Sequence, residues 1–335
     1  MKKRIIGLFA AVLAAAMLFG CGKTDNSDSV DSTGESTGAQ SETNDGEKLS
    51  IVTTLFYQYD FAKQAVGDKA EVELLLKSGQ ESHSYEPTPQ DVIKIQDADI
   101  FIYNGGVAES WVEQVLEGLD TDQVKIICMM DYVDVVEEEI VEGMEDDSDH
   151  DEDEHDDEEA EYDEHIWTSP VIAQDLVKAI GEALEESDAD NKDYYAENTA
   201  RYITELEDLD AKFREAAAGG SRTTLVFGDR FPLRYFVEEY GLTYYAAFPG
   251  CSTETEPGAG TIAFLTDEMK EEEIPVIYYL ELSNEKIADT LCENTGAKKV
   301  QFHSCHNVTQ EELDSGETYI SLMERNVEAL REGLE

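Results

Sequence analysis

The sequence predicts an α/β protein of two similar lobes with mostly parallel sheets, linked by one long spine helix. Three observations carry this. Apolar runs of strand length alternate with helical patterns, once before residue 131 and again after residue 222. The strand runs are apolar throughout, as a parallel sheet covered on both faces requires. Between the two halves, Tyr195, Thr199, Tyr202, Leu206, Leu209 and Phe213 recur at steps of three and four, the period of a helix face.

The elements follow in order. The chain opens MKKRIIGLFAAVLAAAMLFGCGK. Lys2, Lys3 and Arg4 precede an apolar run over 5–19 that is too short for a comfortable bilayer span. Residues 1–20 therefore read as a lipoprotein signal peptide, cleaved before Cys21, whose thiol takes the lipid. Residues 23–48 hold one apolar side chain larger than alanine, Val30. They cannot bury enough to fold, and 21–48 reads as a flexible tether.

The N-terminal lobe spans 49–167. Strands are expected at 49–56, 70–76, 99–105 and 124–130, and helices at 57–67, 89–98 and 109–119. In ESHSYEPTPQD (81–91), Thr88 can cap a helix, Pro89 sits at its first position and Asp91 lies in its first turn. An acidic loop at 142–164 closes the lobe. It holds 16 of the 77 acidic residues, no Lys or Arg, and no periodic apolar face. The spine covers 168–218, with Ser169 and Pro170 at its start and a Gly219–Gly220 stop. The C-terminal lobe, 219–335, repeats the pattern. Its strands are TTLVFGD, LTYYAAF, PVIYYLE and AKKVQFH, and its final helix covers 317–334.

Charge and motifs exclude several functions. The formal net charge is −53, and stays near −37 without the acidic loop. Such a body repels nucleic acid and anionic lipid surfaces. There is no HExxH, CxxC pair, Walker loop or nucleophile elbow, so no enzyme signature is present.

Four cysteines follow Cys21. Cys128 lies in an apolar run and Cys292 in a helical pattern. Cys251 and Cys305 both lie in loops, and an exported compartment permits a bridge between them; four free thiols are the alternative.

The six histidines are the chemical signal. His83 follows a strand of the first lobe, His165 follows the acidic loop, and His303 and His306 follow a strand of the second lobe. Three distant regions thus deliver imidazoles to strand ends, where open α/β sheets bind ligands. Imidazole is a good ligand for Zn²⁺ and its neighbours. The alternative is a scatter of surface and core histidines. His150 and His155, inside the acidic loop, are auxiliary candidates that can hold a metal weakly beside carboxylates.

Several segments resemble one family. They are VTTLFYQYDFAKQAVGDKAEVELLL, SHSYEPTPQDVIKIQDADIFIYNG, DEHIWTSP, YFVEEYGL and ELSNEKIADTLCENTGAK. Together they resemble the metal-binding subunit of zinc and manganese ABC transporters, the cluster A-I substrate-binding lipoproteins, over residues 50–334. The resemblance implies two α/β lobes on a rigid linking helix. It implies a lipid-anchored monomer on the outer face of the cell membrane, which captures a divalent metal ion and delivers it to a membrane permease without catalysis. The family's first ligand histidine, in its H-x-x-E-P-T-P motif, falls on His83. The second, in H-x-W, falls on His165. The third position holds Arg230, which stays protonated and cannot bind metal; a carboxylate near it, Glu254 or Glu256, is its expected partner. The fourth position, usually a carboxylate after the last strand, falls on His303. The implied site is His83, His165 and His303, with Glu281, Asp229 or His306 as a fourth ligand. The resemblance also supports a Cys251–Cys305 disulfide.

The expected cargo is Zn²⁺. Mn²⁺ is the alternative on the same fold if the oxygens of Glu281 and Asp229 are ligands, since manganese prefers oxygen. A metal-stabilised surface adhesion protein is a second alternative. A site of neutral imidazoles predicts that binding fails below about pH 6.

Overall fold

The computed structural model describes residues 48–144, 162–252 and 256–335. Cys21, His150, His155 and Glu254 lie outside them. The N-terminal lobe runs β1 (Leu49–Thr53), α1 (Phe56–Val66), β2 (Ala70–Leu74), α2 (Pro89–Asp97), β3 (Ile100–Tyr103), α3 (Trp111–Glu117) and β4 (Lys125–Cys128). Its strands pair in the order β2-β1-β3-β4, all parallel. At α2 the Thr88 hydroxyl accepts from the Asp91 N–H, Asp91 reaches back to the Thr88 N–H, and Pro89 fills the first position.

The linker is α4 (Pro170–Ser187) and α5 (Lys192–Gly219), two helices packed along each other where the sequence predicted one long spine helix. Gly181 makes that approach possible: a Cβ there would lie 2.5 Å from the Thr199 hydroxyl of α5. With 28 residues, α5 is about 42 Å long. All six residues of its predicted stripe are buried.

The C-terminal lobe repeats the architecture with β5 (Thr224–Phe231), α6 (Arg234–Tyr240), β6 (Thr243–Pro249), α7 (Ala259–Glu271), β7 (Val276–Tyr279), α8 (Lys286–Thr295) and β8 (Lys298–Gln301). The strand order, β6-β5-β7-β8, is again parallel and matches that of the first lobe. Then follow α9 (Gln310–Ser315), which the sequence reading lacked, and α10 (Tyr319–Leu334).

One continuous apolar cluster joins the two lobes. It runs from Ile51 in β1 through Trp167, the α4–α5 pair and Phe227 to Leu334 at the end of α10. In each sheet the chain leaves the first strand to one side and returns on the other. That reversal opens a crevice beyond the carboxyl ends of the strands. The register of β5 against β6 slips between Phe227 and Arg230, which re-aims the end of β5.

Candidate metal centre

The site is built from loops at the carboxyl ends of strands in both sheets. The loop after β2 brings Glu81, Ser82 and His83. The segment leading into α4 brings Asp163, Glu164 and His165. The end of β5 brings Arg230, the loop after β6 brings Gly250 and Cys251, and the loop after β8 brings Ser304 and His306.

Each of the first two histidines is held by a carboxylate on one nitrogen and leaves the other open. His83 Nδ1 lies 2.9 Å from Glu81 Oε1. His165 Nδ1 lies 3.0 Å from Asp163 Oδ1, which also accepts the His165 backbone N–H at 2.8 Å. A carboxylate on Nδ1 fixes the ring and leaves Nε2 as the ligand atom. The Nε2 atoms of both are buried and have no hydrogen-bond partner. His303 Nε2, outside this group, is unpartnered as well, so the pointer to a ligand is the nearness of the His83, Glu164 and His165 donors and not the unpartnered nitrogens alone.

His306 forms the third wall. Its ring stands edge-on to His83 and His165, with centroids 5.4 and 5.7 Å away, and Nε2 lies 2.7 Å from the Ser82 hydroxyl. The His83 and His165 rings are 6.0 Å apart.

Glu164 completes the inner face. Its Oε1 is 3.5 Å from His83 Nε2, and its Oε2 accepts the Ala108 N–H at 3.1 Å. Gly106, at φ +86°, makes room for it: a Cβ there would sit 2.1 Å from Glu164 Oε2. One donor atom from each of His83, Glu164, His165 and Cys251 lies within 4.8 Å of every other. The base of the acidic insertion holds this group in place. Asp163 donates its N–H to the Val136 carbonyl at 2.9 Å, and the Tyr235 hydroxyl donates to the Asp163 carbonyl at 2.7 Å.

The electrostatics separate the imidazoles. Burial disfavours the charged form of His83, but the Glu164 and Glu81 carboxylates outweigh it and raise its pKa to about 9. Burial would raise the Glu81 carboxyl, yet hydrogen bonds from His83 and Arg230 hold it well below the usual carboxylate range. Burial, then the neighbouring His83 and His165, push His306 well below 6.5, so it is a neutral imidazole.

Several residues differ from the sequence expectation. His303 is not in the cluster. Its backbone is clamped to α10, with its N–H on Asn326 Oδ1 and its carbonyl on Asn326 Nδ2, both at 2.7 Å. Its Nδ1 accepts the Cys305 N–H at 2.9 Å and its Nε2 faces Glu312 at 3.8 Å. Cys305, at φ +60°, then turns the chain so that His306 enters the crevice instead. No disulfide joins Cys251 to Cys305. Cys305 is fully buried in the main core, whereas Cys251 belongs to the cluster with His165. Asp229 is structural, accepting the Arg230 N–H at 2.9 Å and the Leu280 N–H at 3.2 Å. Glu281 spends its carboxylate on the Ser304 N–H and hydroxyl. Arg230 pairs with Glu81 at 2.8 Å across the crevice, while Glu256 faces Lys286. Glu164 and Cys251 were missed as candidates. Glu164 lies in an acidic run with nothing to single it out, and Cys251 reads from sequence as a disulfide partner or a free thiol.

The innermost cavity is about 30 Å³, lined by His83, His165, Arg230, Glu281 and His306 among others. That is room for roughly one or two water-sized particles. It has room for a single ion, and it opens onto a wider space that shares Glu81, His83 and Arg230 with it. A larger chamber of about 310 Å³, lined by Glu81, Ser84, Arg230 and Asn284, lies beside it.

A family model for the periplasmic zinc-uptake complex component A matches residues 51–333. The chain is 36% identical over 334 residues to the high-affinity zinc uptake system protein ZnuA of Bacillus subtilis, covering 100% of this chain and 99% of that protein. Among solved structures, the Zn(II)-bound ZnuA-like domain of Streptococcus pneumoniae AdcA superposes with a TM-score of 0.70 at 35% identity, covering 86% of this chain and 99% of that domain. The chain spans 61% of the full pneumococcal zinc-binding lipoprotein. The laminin-binding protein of Streptococcus agalactiae, described as a bifunctional adhesin and metal transporter, superposes at 0.72 with 26% identity, covering 86% of this chain and 100% of its own.

Proposed function

The chain belongs to the family of periplasmic zinc-uptake complex component A, and from that membership we propose that it captures Zn²⁺ outside the membrane and delivers it to the permease of an ABC importer. It is a binding protein, not an enzyme, anchored to the outer face of the membrane through lipid on Cys21. The observation that carries the reading is the convergence of His83, Glu164 and His165 donor atoms, with each histidine ring backed by a carboxylate on Nδ1. This is the outer-shell pattern of metal-ligating histidines. The small cavity supports a bare ion as cargo. Two nitrogens suit zinc better than manganese, which favours oxygen donors.

We assign His83 and His165 as the principal ligands, Glu164 as the adjoining carboxylate, and His306 as the neutral imidazole that closes the wall. Calorimetric titration with Zn²⁺ tests this. H83A and H165A are each expected to lose zinc binding, and H306A to weaken it less, because its nitrogen is already engaged by Ser82. Wild-type affinity in H165A would overturn the assignment.

Adhesion is a second reading, supported by the likeness to the laminin-binding protein. Binding to a laminin-coated surface that survives chelation of zinc would favour it.

A further inference from the structure

We propose that Cys251 supplies a thiolate to the captured ion. With the Nε2 atoms of His83 and His165 and a Glu164 oxygen it completes a four-donor site that prefers zinc and other thiophilic divalent ions to manganese. The inference rests on the capture reading and names its fourth ligand.

Geometry brings the sulfur there. One donor atom of Cys251 lies within 4.8 Å of those of His83, Glu164 and His165. A small contraction around an ion brings four such donors to zinc–ligand distances of about 2.0–2.3 Å. Gly250 lets the backbone carry the thiol in: a Cβ at that position would lie 3.1 Å from His165 Cε1 and 3.0 Å from the Phe231 carbonyl oxygen. His165 Nε2 is buried and unpartnered, and His83 Nε2 is buried with Glu164 Oε1 3.5 Å away.

Charge is compatible with this. Arg230 lines the crevice with its charge matched by Glu81 at 2.8 Å. A buried dication must be met by negative charge; Asp163 on His165 and Glu164 beside His83 supply part of it, and a thiolate adds to it. On binding, the thiol proton of Cys251 leaves to solvent and the freed sulfur lone pair forms the bond to the metal. Manganese gains little from sulfur, so the thiolate discriminates against it.

The test uses the full mature chain and three measurements. Calorimetry establishes that wild type binds Zn²⁺. Alkylation by iodoacetamide, read by peptide mass spectrometry, should be slowed at Cys251 by Zn²⁺ and not by Mn²⁺, with Cys128 and Cys292 as internal controls outside the cluster. The Co²⁺ form should show a sulfur-to-cobalt charge-transfer band that disappears in C251S. That variant should also lose at least the roughly 10–100-fold in zinc affinity that outer-shell changes cost, with a narrower zinc-over-manganese preference. Zinc binding by wild type with unprotected Cys251 and no charge-transfer band overturns the thiolate while leaving zinc capture intact. No zinc binding by wild type sinks the capture reading and this inference with it.

Discussion

With His83 as a proposed ligand, its protonation is expected to set the pH dependence of capture. Its pKa is raised from 6.5 to about 9 because Glu164 and Glu81 favour its charged form more than burial opposes it. In the metal-free protein the raised value stabilises the fold below pH 6.5, and that contribution fades as pH climbs through 9. A metal needs the neutral ring, so a proton competes with zinc throughout that range. The sequence-based expectation places the loss of binding below about pH 6; the raised His83 pKa predicts instead that the loss begins higher. Affinity should rise about tenfold per pH unit up to about 9 and then level off. The slope is best read by calorimetry in C251S, where no thiol titrates beside the ring. E81Q in the same background removes one of the two carboxylates and unpairs Arg230. It should bend the profile at a lower pH and cost roughly 10–100-fold in affinity above the bend. Superimposable profiles for the two proteins would show that Glu81 does not control the ring.

At the scale of elements, α5 carries stability and no chemistry. Tyr195, Tyr202, Leu206, Leu209 and Phe213 are each no more than 1% exposed and join the core cluster that both lobes share. Leu206→Ala should therefore cost about 2–5 kcal/mol in urea unfolding, while the folded fraction keeps wild-type zinc affinity. A matching loss of affinity would mean that the spine also positions the site. This helix was legible in the sequence because its stripe is long and regular. The parallel strands were legible because both faces are covered and their runs are apolar. The Thr88–Asp91 cap fixed where the His83 loop ends. The short α9 was missed although Thr309 and Glu312 form a capping box, because six residues show no periodicity. The choice between His303 and His306 was not legible either. Two residues separate them, and the turn at Cys305 together with the Asn326 clamp decides which ring enters the crevice. Those contacts depend on α10, more than fifteen residues further along the chain.

At the scale of the molecule, the two lobes are joined across the floor of the crevice by backbone and buried side chains. The Trp167 indole N–H donates to the Ser304 carbonyl at 2.8 Å, with its ring stacked 4.6 Å from Tyr57. Asn307 Nδ2 donates to the carbonyls of Lys77 and Gln80, both at 2.8 Å. The Gly79 N–H donates to the Val308 carbonyl at 2.8 Å, and the Phe56 N–H to that of His306 at 3.2 Å. The loop that carries His306 is thus tied to the loop that carries His83 before any metal arrives. A hinge closure needs a few residues free to absorb large changes in φ and ψ. Opening this crevice would break these bonds and split the shared core. Zinc capture should therefore proceed with little movement of the lobes, the adjustment being confined to donor side chains and to the Gly250–Cys251 loop. Small-angle scattering of the metal-free and zinc-loaded protein should give superimposable curves. Hydrogen exchange should slow on zinc binding in the segments around 81–84, 163–166 and 250–251, and stay unchanged along α5. A resolvable compaction on loading, or new protection spread over the spine, would show that the ties across the floor give way and that delivery works by closing the lobes.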